Sequence, residues 1–114
     1  MSEAELSDGT LIIAGSLTLP ADQVDELLAA AVPMMAASQA EDGCLDYAFT
    51  ADPSAPGRIR VFERWTSLDA LYAHFDTPHM AAFQEVLGRL TMLDRDLARY
   101  MVGSVEPVFA RSPR

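Results

Sequence analysis

The sequence predicts an α+β domain of the ferredoxin-like type, β-α-β-β-α-β, with a four-stranded antiparallel sheet and helices on one face. Three observations lead there. Apolar residues alternate at period two in three separate runs, two of which flank a turn rich in Pro and Gly. Helical periodicity fills the interval after the first run and the interval after the third. A short terminal run, SVEPVFA at 104–110, supplies the fourth strand.

Residues 1–9 read as a flexible polar tail, and 10–110 as one domain. In TLIIAGSLTL, Leu11, Ile13, Leu17 and Leu19 alternate with Ile12, Ala14, Ser16 and Thr18, and Pro20 closes the strand. Val24, Leu27, Leu28, Ala31 and Met35 then recur at helical spacing. Asp22, Asp25 and Glu26 occupy the first turns, where the helix dipole favours anions. Pro33 lies inside this run and should bend the helix or restart it, because it offers no N–H to the residue four back.

Glu41-Asp42-Gly43 ends the helix, and CLDYAFTA alternates with Leu45, Tyr47 and Phe49 on one side. After the turn DPSAPG, the run RIRVFERWT places Ile59, Val61, Glu63 and Trp65 on one face and Arg60, Phe62 and Arg64 on the other. The two runs predict an antiparallel hairpin. Thr66-Ser67-Leu68-Asp69 is a capping pattern that starts a helix carrying Leu68, Leu71, Tyr72 and Phe75. Thr77-Pro78 starts the next, as a cap followed by proline at the first helical position. Met80, Phe83, Leu87 and Leu90 continue at helical spacing into Leu93, Leu97, Tyr100 and Met101, which predicts one long helix ending at Gly103. The helical stretch at 89–101 would either lid a cavity or remodel a dimer. Pro107 makes the last strand an edge strand.

Both faces of the predicted sheet carry apolar side chains, while helices are available for one. A second copy on the other face is therefore expected, as a symmetric homodimer.

A chain of 114 residues can bury roughly two thirds of its unfolded surface without a metal or disulfide staple. Its formal charge is −9 and all eight cations are arginine, which disfavours nucleic acid and anionic membrane surfaces as partners. Cys44 is the sole cysteine, so no internal disulfide forms, and a reducing cytoplasm is the expected compartment. It reads as a small packed residue more readily than as a reactive thiol. The acidic N-terminal stretch lacks a basic region followed by an apolar run and does not read as a signal peptide, and LLAAAVPMMAA is too short to span a bilayer.

Two motifs go beyond pattern. E-D-G-C-L-D-Y at 41–47, followed by V-F-E-R-W-T-S-L-D-A-L-Y-A-H-F-D-T-P-H-M at 61–80, resembles the antibiotic biosynthesis monooxygenase (ABM) family. The resemblance implies a dimeric α+β barrel over roughly residues 10–110, agreeing with the fold read from periodicity. It further implies a cofactor-free oxygenase that converts quinols or anthrones to quinones with molecular oxygen, or a non-catalytic dimeric module that binds a small apolar molecule on the same fold. A haem-degrading branch uses an asparagine on the first strand, and some anthrone oxygenases use one near the tryptophan. This chain contains no asparagine.

Under the resemblance Trp65, Tyr72, His74 and His79 are the candidate catalytic residues. Trp65 would donate its indole N–H to a phenolate or stack on a flat substrate; otherwise it is a core tryptophan. His74 is a candidate base, being the residue type that titrates near neutrality, or else offsets a helix C-terminal dipole. His79 is the second candidate base, or a capping or dimer contact. Tyr72 is a cavity donor or a half-buried core tyrosine. Glu63, Tyr47, Val61 and Phe83 are the candidates to line the substrate cavity. A carboxylate on an apolar strand face must be paired, sit at the rim or act chemically, and pairing with an arginine is expected. The two histidines stand five apart across a helix break, unlike the i, i+4 pair of a zinc helix, so no metal site is expected.

Overall fold

The computed structural model describes residues 10–109. Four strands, β1 (Leu11–Thr18), β2 (Cys44–Ala51), β3 (Arg58–Trp65) and β4 (Asp94–Met101), form one antiparallel sheet in the order β2-β3-β1-β4. Helix α1 (Val24–Gln39) follows β1 after a 3-10 turn at Ala21–Gln23; α2 (Leu68–Phe75) and α3 (Pro78–Leu87) fill the β3–β4 connection. This is the ferredoxin-like split β-α-β arrangement expected from the sequence.

Pairing of β1 with β3 sets Leu11 opposite Trp65, Ile13 opposite Glu63 and Leu17 opposite Ile59. That face, joined by Tyr47 and Phe49 of β2, packs on Leu27, Ala31 and Met34 of α1, Leu71 of α2 and Phe83 of α3 to form the core. In β2 the register shifts between Cys44 and Asp46, so Leu45 falls at a bulge while Tyr47 and Phe49 keep the inward side. Helix α1 is assigned as helix straight through Pro33. Helix α2 is capped one residue later than the T-S-L-D pattern suggests. Ser67 Oγ accepts from the Ala70 N–H at 3.1 Å, and Thr77 caps α3 as expected.

The long helix expected to run to Gly103 does not form. Helix α3 stops at Leu87 with Gly88 as its C-cap, and 94–101 is the fourth strand. The spacing of Leu93, Leu97, Tyr100 and Met101 satisfied a helix template while the charges around it obeyed period two. Asp94, Asp96, Ala98 and Tyr100 take one face, and Arg95, Leu97, Arg99 and Met101 the other. Eight paired positions along β1 then outweigh the helical spacing of these four apolar residues, all of which stay exposed. Residues 104–109, expected as the last strand, have no strand partner, and Val108 and Phe109 are 88% and 95% exposed. Strand β4 is itself an edge strand, with β2 at the opposite edge, and is exposed along its whole length.

The second face of the sheet carries Ile12 and Ala14 of β1, Phe62 of β3 and Tyr100 of β4, with Phe62 and Tyr100 exposed. Arg64 crosses it, 3.3 Å from Asp46 and with its guanidinium over the Phe62 ring. Apolar character on both faces is thus present as expected. The tail at 1–9 lies outside the described residues. Among the described residues no helix is long and apolar enough to cross a membrane.

Candidate functional site

The first piece of the site is a carboxylate. Glu63 points into the core face of β3, where nearly all its neighbours are apolar, and is only 7% exposed. Its partner is not the arginine expected from the sequence. The Trp65 indole N–H, two residues on along the same face, donates to Glu63 Oε1 at 2.9 Å. One hydrogen bond does not offset the lost hydration, so burial pushes the Glu63 carboxyl up from 4.5 to about 7, with the Glu41 carboxylate adding to the rise.

Glu63 lines a cavity of about 180 Å³ between the sheet and α2–α3. Ile13, Tyr47, Phe49, Phe75 and Phe83 form its apolar walls, with Arg95 and Leu97 of β4 on the uncovered side. The strand that sequence periodicity read as helix therefore supplies part of the wall, including the cation Arg95.

Behind Tyr47 lies a second polar group. The Tyr47 hydroxyl is 3.2 Å from His74 Nε2; His74 Nδ1 is 2.7 Å from Glu41 Oε2; and the same oxygen is 2.7 Å from His79 Nε2. His74 is 1% exposed, stacked at a tilt on Trp65 with ring centroids 4.9 Å apart. Because a carboxylate only accepts, a neutral His74 carries its proton on Nδ1, and the Tyr47 O–H then donates to Nε2. Burial, with the Glu63 charge, raises the Tyr47 pKa well above its ordinary value, so this hydroxyl keeps its proton.

Local sequence explains the convergence. Gly43 holds φ +85° where a Cβ would meet Ala70 Cβ at 2.6 Å and Thr66 Oγ1 at 2.7 Å, so only glycine lets the α1–β2 turn press against the start of α2. Its carbonyl accepts from the Thr66 N–H, and Glu41 in that turn is brought under His74. Thr77 links the two histidines: its hydroxyl caps α3 and donates to the His74 carbonyl at 2.7 Å, and the His74 and His79 ring centroids lie 5.8 Å apart.

These features coincide with a family. The model of the antibiotic biosynthesis monooxygenase family matches residues 10–86, about two thirds of the chain. The chain belongs to the antibiotic biosynthesis monooxygenase family. Its structure superimposes on a Deinococcus radiodurans protein provisionally assigned to these monooxygenases with a TM-score of 0.78 and 28% identity, over 88% of this chain and 99% of that one. A similarly assigned Caulobacter crescentus protein gives 0.71 and 26%, over 87% and 92%. Among curated sequences, the uncharacterized protein sll1783 of Synechocystis is 26% identical over 100 residues, 88% of this chain and 68% of that protein. YgiN of Escherichia coli, provisionally named a quinol monooxygenase, is 38% identical over 55 residues. That match covers 41% of this chain and about half (53%) of YgiN.

Within this ABM chain the expected site residues separate into three sets. Tyr47, Glu63 and Phe83 line the sheet-side cavity, whereas Val61, buried on the same strand face as Glu63, packs in the core and is not part of that cavity's lining. Trp65, His74 and His79 stand outside its lining: Trp65 is fully buried behind Glu63, His74 is bonded to Tyr47 and Glu41, and His79 borders a second hollow between α1 and α3. Tyr72 is in neither. It is 48% exposed, and its hydroxyl accepts from Arg99 at 3.3 Å. Glu41 was missed, being read as the end of a helix. The available signal was its position as the first residue of the E-x-G-x-x-x-Y motif.

Proposed function

We propose that this chain is a monooxygenase that needs no metal or organic cofactor and oxidises a small apolar phenol of the quinol or anthrone class with O2. The observation that carries the reading is Glu63, a buried carboxyl on the wall of a mainly apolar cavity. Family membership supports monooxygenase-type chemistry; the substrate class is our own reading.

The chemistry asks for a base, an anion stabiliser and dry walls. As carboxylate, Glu63 takes the phenolic proton. The Arg95 guanidinium on the cavity wall offsets the charge of the resulting anion. Transfer of one electron to O2 and recombination at a ring carbon then form the new C–O bond. The substrate loses two hydrogens; one oxygen atom becomes a ring carbonyl and the other leaves as water with those hydrogens. Tyr47 supplies a neutral hydroxyl at the wall, and Phe49, Phe75 and Phe83 supply a surface for a flat ring. Trp65 acts through Glu63, because its N–H is committed there, and is a positioning residue.

A second copy of the chain would cover Ile12, Phe62 and Tyr100 on the opposite sheet face, giving a homodimer. Light scattering behind size exclusion reads this directly, and Phe62→Asp should yield monomer. A reducing cytoplasm suits the single free thiol, which burial raises to about 11 and so leaves unreactive.

Oxygen consumption by chelator-treated protein, on a panel of quinols and anthrones, tests the catalytic reading. Uptake above autoxidation that collapses in Glu63→Gln supports it. Ligand-induced thermal stabilisation without any uptake across the panel would instead make the chain a non-catalytic binding module.

A further inference from the structure

Oxygen chemistry in the sheet-side cavity leaves Glu41, His74 and His79 without a direct role. We infer that these three residues form a binding site for a divalent transition metal of the zinc class. The donor atoms come from three separate segments, the α1–β2 turn, the end of α2 and the start of α3, and all lie within 4.8 Å of one another. Both imidazoles aim a ring nitrogen at the same carboxylate oxygen, at 2.7 Å each. Two proton-bearing rings facing one oxygen is also the arrangement a cation would replace: each ring proton shifts to the opposite ring nitrogen, the carboxylate swings back, and the metal takes the point of convergence.

The donor set decides the class. Two imidazoles and one carboxylate suit zinc, cobalt, nickel or iron(II) and are poor ligands for calcium or magnesium, which favour all-oxygen shells. An outer partner is already present, since the second ring nitrogen of His74 meets the Tyr47 hydroxyl at 3.2 Å. An entry path exists too. His79 and Glu41 side chains are 22% and 14% exposed, and His79 opens onto the hollow lined by Ala30, Pro33 and Met34 of α1. Three protein donors leave room for a water in the fourth position.

Occupancy has a consequence for the neighbouring cavity. With a metal on Nδ1, the single proton of neutral His74 shifts to Nε2 and is donated to the Tyr47 oxygen, reversing the direction of that hydrogen bond. The Tyr47 O–H is then released to donate toward the cavity.

The test needs no turnover, so its failure is separate from failure of the oxygenase reading. Chelator-treated full-length protein is titrated with Co2+, and visible d–d absorption is followed; Zn2+ is then added in competition. The expected result is a stoichiometric low-symmetry cobalt spectrum, displaced by zinc, with affinity at least tenfold weaker in Glu41→Gln and in His79→Ala and unchanged in Cys44→Ser. X-ray absorption of the zinc-loaded wild type guards against misfolded variants, and two imidazoles with oxygen ligands are expected. A spectrum identical to aqueous cobalt, affinity indifferent to both variants, or a zinc shell with fewer than two imidazoles would overturn the proposal.

Discussion

Trp65 Nε1 and Glu63 Oε1 are 2.9 Å apart on one face of β3, and this bond joins the fully buried indole to the titrating wall of the cavity. The carboxyl it holds is raised from 4.5 to about 7, so the folded state binds a proton that the unfolded chain has released. Stability therefore falls as pH rises from about 4.5 to about 7, and is fullest below that window. The loss amounts to about 3 kcal/mol at most. Urea unfolding at about pH 5 and about pH 8 should show that slope in the wild type and little of it in Glu63→Gln. The amide retains an acceptor for Trp65. Other groups facing this carboxyl, Glu41, Tyr47, Cys44 and Arg95, remain in the variant and isolate the Glu63 contribution.

Trp65→Phe removes the donor and leaves the carboxylate without its hydrogen bond. The Glu63 pKa should rise further, moving the midpoint of the pH–rate profile to higher pH. A merely structural tryptophan would lower the rate and leave the midpoint in place.

Gly43→Ala should cost about 1–3 kcal/mol, because alanine at φ +85° is strained and its Cβ meets Ala70 and Thr66 inside contact distance. Thermal unfolding measures the loss. The same change displaces Glu41, so the histidine NMR resonances should shift with it.

Phe83 lines both hollows and stacks edge-on against Phe49, with ring centroids 5.3 Å apart. Phe83→Ala should destabilise by about 3–5 kcal/mol and merge the two spaces. A larger aromatic ligand that the wild type rejects should then stabilise the variant in a thermal-shift assay.

Tyr72→Phe is expected to leave turnover within about twofold, since its hydroxyl faces Arg99 and solvent. A loss of more than tenfold would place Tyr72 in the site after all.

The fold was largely legible because its signals are local. Alternation in β1, β2 and β3, the Thr77-Pro78 cap and the turn at 52–57 each report one element, and each is where its residues imply. Strand β4 was hidden, because four apolar residues in DRDLARYM and its approach fit helical spacing by chance. Its identity depends on pairing with β1, more than 70 residues away in sequence. The site divides the same way. Glu63 was recognisable as a misplaced carboxylate, yet its partner required the strand geometry that sets Trp65 beside it. Glu41 and the two histidines lie more than 30 residues apart, and nothing along the chain between them announces a contact. Only the turn at Gly43, pressed onto α2, brings them together.

The most direct measurement is isotopic. Chelator-treated wild type and Glu63→Gln are given 18O2 with the quinol or anthrone that drives the fastest oxygen uptake. The account predicts one labelled atom in the product carbonyl and the other in water, with a rate at least a hundredfold lower in the variant. Unlabelled product, or equal labelled turnover in both proteins, would contradict it.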